Sequence, residues 1–297
     1  DEIVILRSDS VDILGFDGSP VTSEEFTVDW DATAASKGGW PSFMAKEIAD
    51  QPQAVADTLM GRVDSEGKVT IPEMDGLSAE DIRNIDRIII VACGTASYAG
   101  DIAKYGIEKW SRIPVQVELS HEFRYRDPVI DANTLILAIS QSGETMDTLM
   151  AVKYAREQGA RTISVCNTQG ATIPRESDAV VYTHAGPEVD VASTKAFVAQ
   201  ITALYLIGLH IAHSKKTVDE KELRRLATDL QALPAKVTKV LETGEKIAQL
   251  AKWMSDTPSV LFLGRHVGYP IALEGALKLK ELAYIHAEGF AAGELKH

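Results

Sequence analysis

Thr134-Leu135-Ile136-Leu137-Ala138-Ile139 is an unbroken apolar run, and Ser140-Gln141-Ser142-Gly143-Glu144-Thr145 follows it directly. A strand buried on both faces reads as a continuous run of this kind, without the alternation of a half-exposed one. Met146, Leu149 and Met150 then recur at helical spacing. The local order is therefore strand, hydroxyl-rich turn with one glycine, helix. The first backbone N–H groups of such a helix have no intrahelical partner, and the helix dipole adds partial positive charge, so the turn can receive an anion. Ser140, Ser142, Thr145 and Thr148 offer hydroxyl donors, and Gly143 permits close backbone approach. The same residues also suit a simple helix cap, with Ser142 or Thr145 as N-cap. The turn alone leaves both readings open. It has neither the lysine of a P-loop nor a G-x-G-x-x-G pattern, which favours a small phosphate ester over a nucleotide.

Working outward, the pattern repeats. Ile88-Ile89-Ile90-Val91-Ala92 predicts a strand ending in the turn Cys93-Gly94-Thr95, with a helix from Ser97 to about Trp110. Further strands are predicted over 115–119, 134–140, 162–166 and 180–183, with a helix over 144–158 ending at Gly159. Strands alternating with helices call for α/β architecture, a doubly wound parallel sheet flanked by helices, with ligands at the carboxyl ends of the strands. Residues 194–255 read as helical: a nearly all-apolar stretch from Ala196 to Ala212, then amphipathic segments over 219–232 and 236–254. Ser259 to Leu263, Gly264 and a helix from about Ile271 repeat the strand–turn–helix design, the beginning of a second copy.

Before the first strand, Met44 to Arg62 is helical and 63–86 a polar connection with a short helix. Residues 1–26 alternate apolar and polar with Asp17-Gly18 at a tight turn, a short antiparallel remnant. Glycine, serine and alanine over 27–42 read as a linker. The expected organisation is 1–26, linker 27–42, a first α/β domain over 43–218 and a helical connection with the start of the second domain over 219–297. The first residue is Asp1, and the chain reads as an excerpt of something longer.

A net charge of −13 disfavours nucleic-acid and anionic-membrane partners. Cys93 and Cys166 each end an apolar run and read as small buried side chains, which fits a reducing compartment. The 196–212 stretch, interrupted by Gln200, Thr202, Gly208 and His210, falls short of a membrane span and reads as a helix buried in a core or subunit interface.

Two further clusters can carry chemistry. In Val191-Ala192-Ser193-Thr194-Lys195, Ser193 and Thr194 add donors and Lys195 a charge, though Ser193 would equally serve as N-cap of the apolar helix. Glu274, Lys278 and Glu281 stand at i, i+4 and i+7, one stripe of one helix. Such a stripe is commonly a solvated ion-pair ladder; a partly desolvated carboxylate in it would be a general base of raised pKa. His286 and His297 pair with no cysteine or carboxylate at metal-ligand spacing, so no metal is expected.

Cys93-Gly94-Thr95, Ser140 to Thr145, Val191 to Phe197 and Ala272 to Glu281, together with Phe123 to Arg126, Tyr284 to Glu288 and Ala292 to His297, occur in an order that resembles the glucosamine-6-phosphate synthase family. These are the isomerising glutamine–fructose-6-phosphate aminotransferases, built from a glutaminase domain and two sugar isomerase (SIS) domains. The resemblance runs over nearly the whole chain. It implies that Ser140, Gln141, Ser142 and Thr145 hold the sugar phosphate, with Thr95, Ser193 and Val191 completing the sugar site. It implies that Lys278 lines the site, that Glu281 carries the proton between C1 and C2, and that His297 helps open the sugar ring from a neighbouring subunit. Fructose 6-phosphate and glucosamine 6-phosphate are the implied ligands, glutamine the nitrogen source through the glutaminase domain, with no cofactor, a homodimer or larger, and a cytoplasmic setting.

Three departures stand out. Ala96 occupies a position where the family often has serine. Residues 1–26 resemble only the end of the glutaminase domain, so its N-terminal cysteine nucleophile is expected outside the chain. The family's Schiff-base lysine lies beyond His297. The rivals are another SIS-class phosphosugar isomerase or deglycase, and a non-catalytic sugar-phosphate sensor.

Overall fold

The computed structural model describes residues 2–22 and 36–297. It divides the chain into a small unit up to Trp30 and a large one from Asp31 onward. The expected 27–42 linker lies mostly outside the described residues, as do residues 23–26 of the N-terminal remnant.

The small unit is an antiparallel pair, β1 (Glu2–Leu6) and β2 (Val11–Gly15), with Glu2 opposite Gly15 and Leu6 opposite Val11. The expected antiparallel remnant is there, but its hairpin turn is not Asp17-Gly18. The strands are joined through 7–10, where the Arg7 N–H donates to the Ser10 carbonyl at 2.9 Å. Asp17 and Gly18 make a second turn after β2, which folds Pro20 back to a bridge with Leu14.

In the large unit, helix α1 (Phe43–Leu59) and a short α2 (Ala79–Asn84) precede the central sheet. Its strands are β3 (Arg87–Ala92), β4 (Val115–Leu119), β5 (Thr134–Ser140), β6 (Arg161–Cys166) and β7 (Ala179–Tyr182), all parallel, in the order β4-β3-β5-β6-β7. The helices between them are α3 (Thr95–Ser111), a one-turn α4 (Ser120–Phe123), α5 (Met146–Glu157) and a one-turn α6 (Thr172–Arg175). Every residue of β5 is buried. Leu135, Leu137 and Ile139 face one layer together with Ile107 of α3, whereas Ile136 and Ala138 face the other with Leu149, Val152 and Ala155 of α5. A strand so enclosed is apolar through its middle, Leu135 to Ile139, with the hydroxyls of Thr134 and Ser140 at its two ends, which is why the run shows no alternation.

Helix α7 (Lys195–Lys215) packs along α3 and α1. It is longer than the apolar stretch in the sequence indicated, and by length and composition alone it could cross a membrane. Its place in the fold decides otherwise: Leu204, Leu206, Ile207, Leu209 and Ile211 are all inside the first core. The segment expected as one helix over 236–254 is two, α9 (Leu233–Leu241) and α10 (Gly244–Trp253), following α8 (Glu220–Gln231). The break falls at Glu242-Thr243, where Gly244 is a weak helix former.

The second copy goes further than expected. β8 (Ser259–Gly264), α11 (Gly268–Ala283) and a second strand, β9 (His286–Ala291), form a parallel β-α-β unit. β9 carries little strand signal in its sequence, which has no alternation and contains Gly289. A Cβ at Gly289 would lie 2.9 Å from Leu273 Cα, so glycine is what lets α11 approach the strand.

Leu137 sits at the centre of β5 and is fully buried. Leu137→Ala is expected to destabilise the domain by about 2–5 kcal/mol, measured by urea denaturation; a loss under about 0.5 kcal/mol would contradict the packing described.

Candidate active site

The strand order sets the site. β3 and β5 are adjacent and in register, Ile88 beside Leu135 and Val91 beside Ala138, yet the chain leaves them in opposite directions, β3 toward the β4 edge and β5 toward β6 and β7. This is the topological switch point, where the turns at the strands' carboxyl ends part and open a crevice. The turns after β3 and β5 flank it. Gly94, with φ of 55°, starts α3 in a conformation that suits glycine. Gly143 has φ of 69°, and a Cβ there would lie 2.5 Å from Ala171 Cβ.

A cavity of about 200 Å³ lies between them, lined by Cys93, Thr95, Ala96, Ile139, Ser140, Gln141, Ser142, Thr145, Ser193 and Gln200. Six of the expected binding residues (Thr95, Ser140, Gln141, Ser142, Thr145 and Ser193) are thus brought to one place. Val191 is 96% exposed and His297 is exposed, and neither lines this cavity.

The hydroxyls divide their work. Ser140 Oγ accepts from the Gly143 N–H at 3.0 Å and lies 2.9 Å from Thr145 Oγ1, so it holds the turn closed. Ser142 Oγ accepts from the Glu144 N–H at 3.2 Å, leaving its O–H to donate. Thr145 occupies the N-cap position of α5, but neither it nor Ser142 makes the expected side-chain cap. The first-turn N–H groups of α5 therefore stay available to an anion. Thr148 belongs elsewhere: it is buried, and its hydroxyl lies 2.9 Å from Ser120 Oγ.

The opposite wall is built around a residue that sequence reasoning passed over. Glu188 accepts from the Thr194 N–H at 2.8 Å, the Ala196 N–H at 3.1 Å and the Ser193 hydroxyl at 3.0 Å. Glu188, and not Ser193, caps α7. Having donated its proton, Ser193 Oγ presents lone pairs to the cavity, which suits a sugar hydroxyl. Lys195 is buried and pairs with Asp50 at 3.5 Å, away from the lining residues. Gln200 is 2% exposed, and its Oε1 has no hydrogen-bond partner among the described residues. A buried orphan acceptor on a cavity wall is a place for a ligand donor. The signal in the sequence was one amide interrupting an apolar helix.

Helix α11 packs against α3 and brings the charged stripe to Thr95. Lys278 Nζ donates to Thr95 Oγ1 at 2.9 Å and to Glu281 Oε2 at 2.6 Å, and lies 3.4 Å from Glu274 Oε1. Thr95 in turn donates to Glu274 Oε1 at 3.1 Å. Burial pushes the Glu274 carboxyl up to about 7, against the opposing pull of Lys278 and the Thr95 hydrogen bond. Its Oε2 is buried with no partner among the described residues. The stripe is thus no solvated ladder at its first member, although Glu281 at its far end is exposed.

Cys93 departs from expectation: it is half-buried and lines the cavity, whereas Cys166 is buried, and its thiol is raised to about 12 by burial. Ala96 also faces the cavity, so the methyl group stands where the family's common serine would place a hydroxyl.

Residues 81–209 match the SIS domain model. The chain is 69% identical over its whole length to a glutamine–fructose-6-phosphate aminotransferase (isomerizing) of Leifsonia xyli. It superposes on the C-terminal domain of glucosamine-fructose-6-phosphate aminotransferase from Francisella tularensis with a TM-score of 0.84 and 41% identity, covering 89% of this chain and 73% of that one. The chain belongs to the isomerising glutamine–fructose-6-phosphate aminotransferase family. It spans about half the length, 48%, of the curated relatives it matches, and corresponds to the family's isomerase part. A putative phosphosugar isomerase of Clostridium difficile, at 22% identity and a TM-score of 0.75, shares the fold. The rival readings, a plain phosphosugar isomerase or deglycase and a sensing module, are not favoured beside relatives of this identity.

The Glu274 carboxyl gives a signed prediction. Between its ordinary 4.5 and about 7 the folded protein holds a proton that the unfolded chain has released, so stability falls as pH rises through that window. Glu274→Gln is expected to lack this component, so that the melting-temperature difference between variant and wild type changes across the window; an equal pH profile for both would contradict the assignment. At the turn, Gly143→Ala is expected to cost more than about 1 kcal/mol through its positive φ and the Ala171 contact, and to weaken sugar-phosphate binding measured by calorimetry.

Proposed function

We propose that the chain is the isomerase portion of an enzyme that converts D-fructose 6-phosphate and L-glutamine to D-glucosamine 6-phosphate and L-glutamate. The observation that carries this reading is the double role of Thr95. It lines the cavity beside the Ser140–Thr145 turn, and it also accepts from Lys278 within the Glu274–Lys278–Glu281 network. Phosphate anchor and proton-transfer groups therefore meet at one residue.

The phosphate is held by the N-terminus of α5 with Gln141, Ser142 and Thr145, while Ser140 keeps the turn in shape. Thr95 and Ser193 take the sugar hydroxyls, and Val191 touches the sugar from outside the cavity. Moving a proton between adjacent carbons needs one base that reaches both. Glu281 takes the proton from C1 and delivers it to C2. The Lys278 ammonium, hydrogen-bonded to Glu281, keeps that carboxylate oriented and offsets the negative charge that develops as the proton leaves. His297 assists ring opening as a proton shuttle in the active site of a neighbouring subunit, which makes the working form a homodimer or larger. Glutamine enters through a glutaminase domain, of which 1–26 form the end; 27–42 link it to the first SIS domain over 43–218, and the second begins within 219–297. The setting is cytoplasmic, and the product feeds amino-sugar synthesis.

In the full-length enzyme, Glu281→Gln is expected to lower the rate of fructose 6-phosphate conversion by about 10²–10⁴-fold while glucosamine 6-phosphate binds with little change in Kd. Unchanged turnover would refute the role of Glu281, and a sensing module would show no turnover to lose.

A further inference from the structure

Three side chains with no part in the proposed reaction converge at the carboxyl edge of the sheet. Cys93 directly follows β3, His121 stands in the single turn of α4 directly after β4, and Asp147 lies in the first turn of α5 after β5. These three strands are neighbours in the order β4-β3-β5. Cys93 Sγ lies 3.9 Å from His121 Nδ1. One sulfur, one imidazole nitrogen and one carboxylate oxygen all lie within 4.8 Å of one another. Ligand atoms around a tetrahedral zinc ion, with Zn–S near 2.3 Å and Zn–N near 2.0 Å, sit about 3.5 Å apart. A modest rotation of the exposed His121 and Asp147 side chains closes the difference.

The backbone under the cluster is fixed. Ser120 and Thr148, the residues adjacent to His121 and Asp147, are both fully buried, and their hydroxyls lie 2.9 Å apart. That hydrogen bond ties the first turns of α4 and α5 together, so two of the three donors are carried on a locked pair of helix starts. Glu122 Oε1 lies 3.8 Å from His121 Nε2, on the side of the ring away from the nitrogen that faces Cys93. At that distance it makes no hydrogen bond to the ring, but its negative charge favours a cation nearby.

The donor set chooses the ion. One thiolate, one imidazole and one carboxylate suit a borderline-soft cation, whereas Mg²⁺ and Ca²⁺ require oxygen ligands throughout. Three protein donors leave a fourth tetrahedral position for water or another ligand. We propose that Cys93, His121 and Asp147 bind Zn²⁺ at the wall of the sugar cavity, which Cys93 also lines. Binding breaks the Cys93 S–H bond, forms the Zn–S bond and releases one proton to solvent, so affinity rises with pH. The inference rests on these side chains and not on the reaction proposed above.

The test is titration of the full-length protein, first stripped with a chelator, with Co²⁺ as the spectroscopic probe for Zn²⁺. A thiolate-to-cobalt charge-transfer band that saturates and is displaced by Zn²⁺ is expected, together with its loss in Cys93→Ser. His121→Ala and Asp147→Asn, both at exposed positions where the fold should survive, are each expected to weaken Zn²⁺ affinity by about tenfold or more while circular dichroism stays unchanged. Absence of the band in the wild type would overturn the proposal. So would its persistence in Cys93→Ser, or unaltered Zn²⁺ affinity in both the His121 and Asp147 variants.

Discussion

The parallel pairing of β3 with β5 is the constraint on which the rest of the molecule depends. It puts two strand–turn–helix junctions side by side, the Cys93–Thr95 turn and the Ser140–Thr145 turn, while sending their helices to opposite faces of the sheet. The cavity exists because those two helices diverge. Ile139 lines it, and Ile90 and Ile139 lie close to Gly100 of α3. A larger residue at position 100 would push α3 off the sheet, since a Cβ there would lie 2.7 Å from Ile90 Cγ2.

A second dependence runs through α11. Neither Thr95 nor Lys278 makes a functional unit alone. Their hydrogen bond joins the first sheet to the β-α-β unit that follows it, and it draws Glu274 into a place where its charge is costly. The carboxyl tolerates that place by keeping its proton longer and by accepting from Thr95. The chemistry of the stripe is therefore a product of docking between two α/β units and not of the helix that carries it.

This explains what could be read from the sequence and what could not. The central strands were legible because enclosure on two faces favours long apolar runs: Ile136 and Ala138 answer to one core, Leu137 and Ile139 to the other. The hydroxyl residues were legible as a turn between strand and helix, but the same residues suit an anion site and a helix cap, and the sequence alone does not separate the two. Glu274 was not, since a solvated ion-pair stripe and a desolvated one have the same spacing, and only the contact with α3 tells them apart. Glu188 lies outside any helix motif and caps α7 across a loop. The Cys93–His121–Asp147 cluster was hidden for the same kind of reason: its members are adjacent through strand order, which linear separation does not encode. β9 was missed because Gly289, needed for the approach of Leu273, weakens the strand signal.

Glu188 has one more effect. By accepting three hydrogen bonds at the start of α7, it supplies that helix with the protein's own anion. The cavity is then electrically lopsided: its α5 wall offers uncancelled N–H dipoles, and its α7 wall offers a carboxylate behind a serine lone pair. A ligand with one charged end and one hydroxylated end has a single favourable way to lie in it. The cavity thereby acquires a direction before any ligand arrives, and a molecule carrying an anion at both ends would be turned away by the same arrangement.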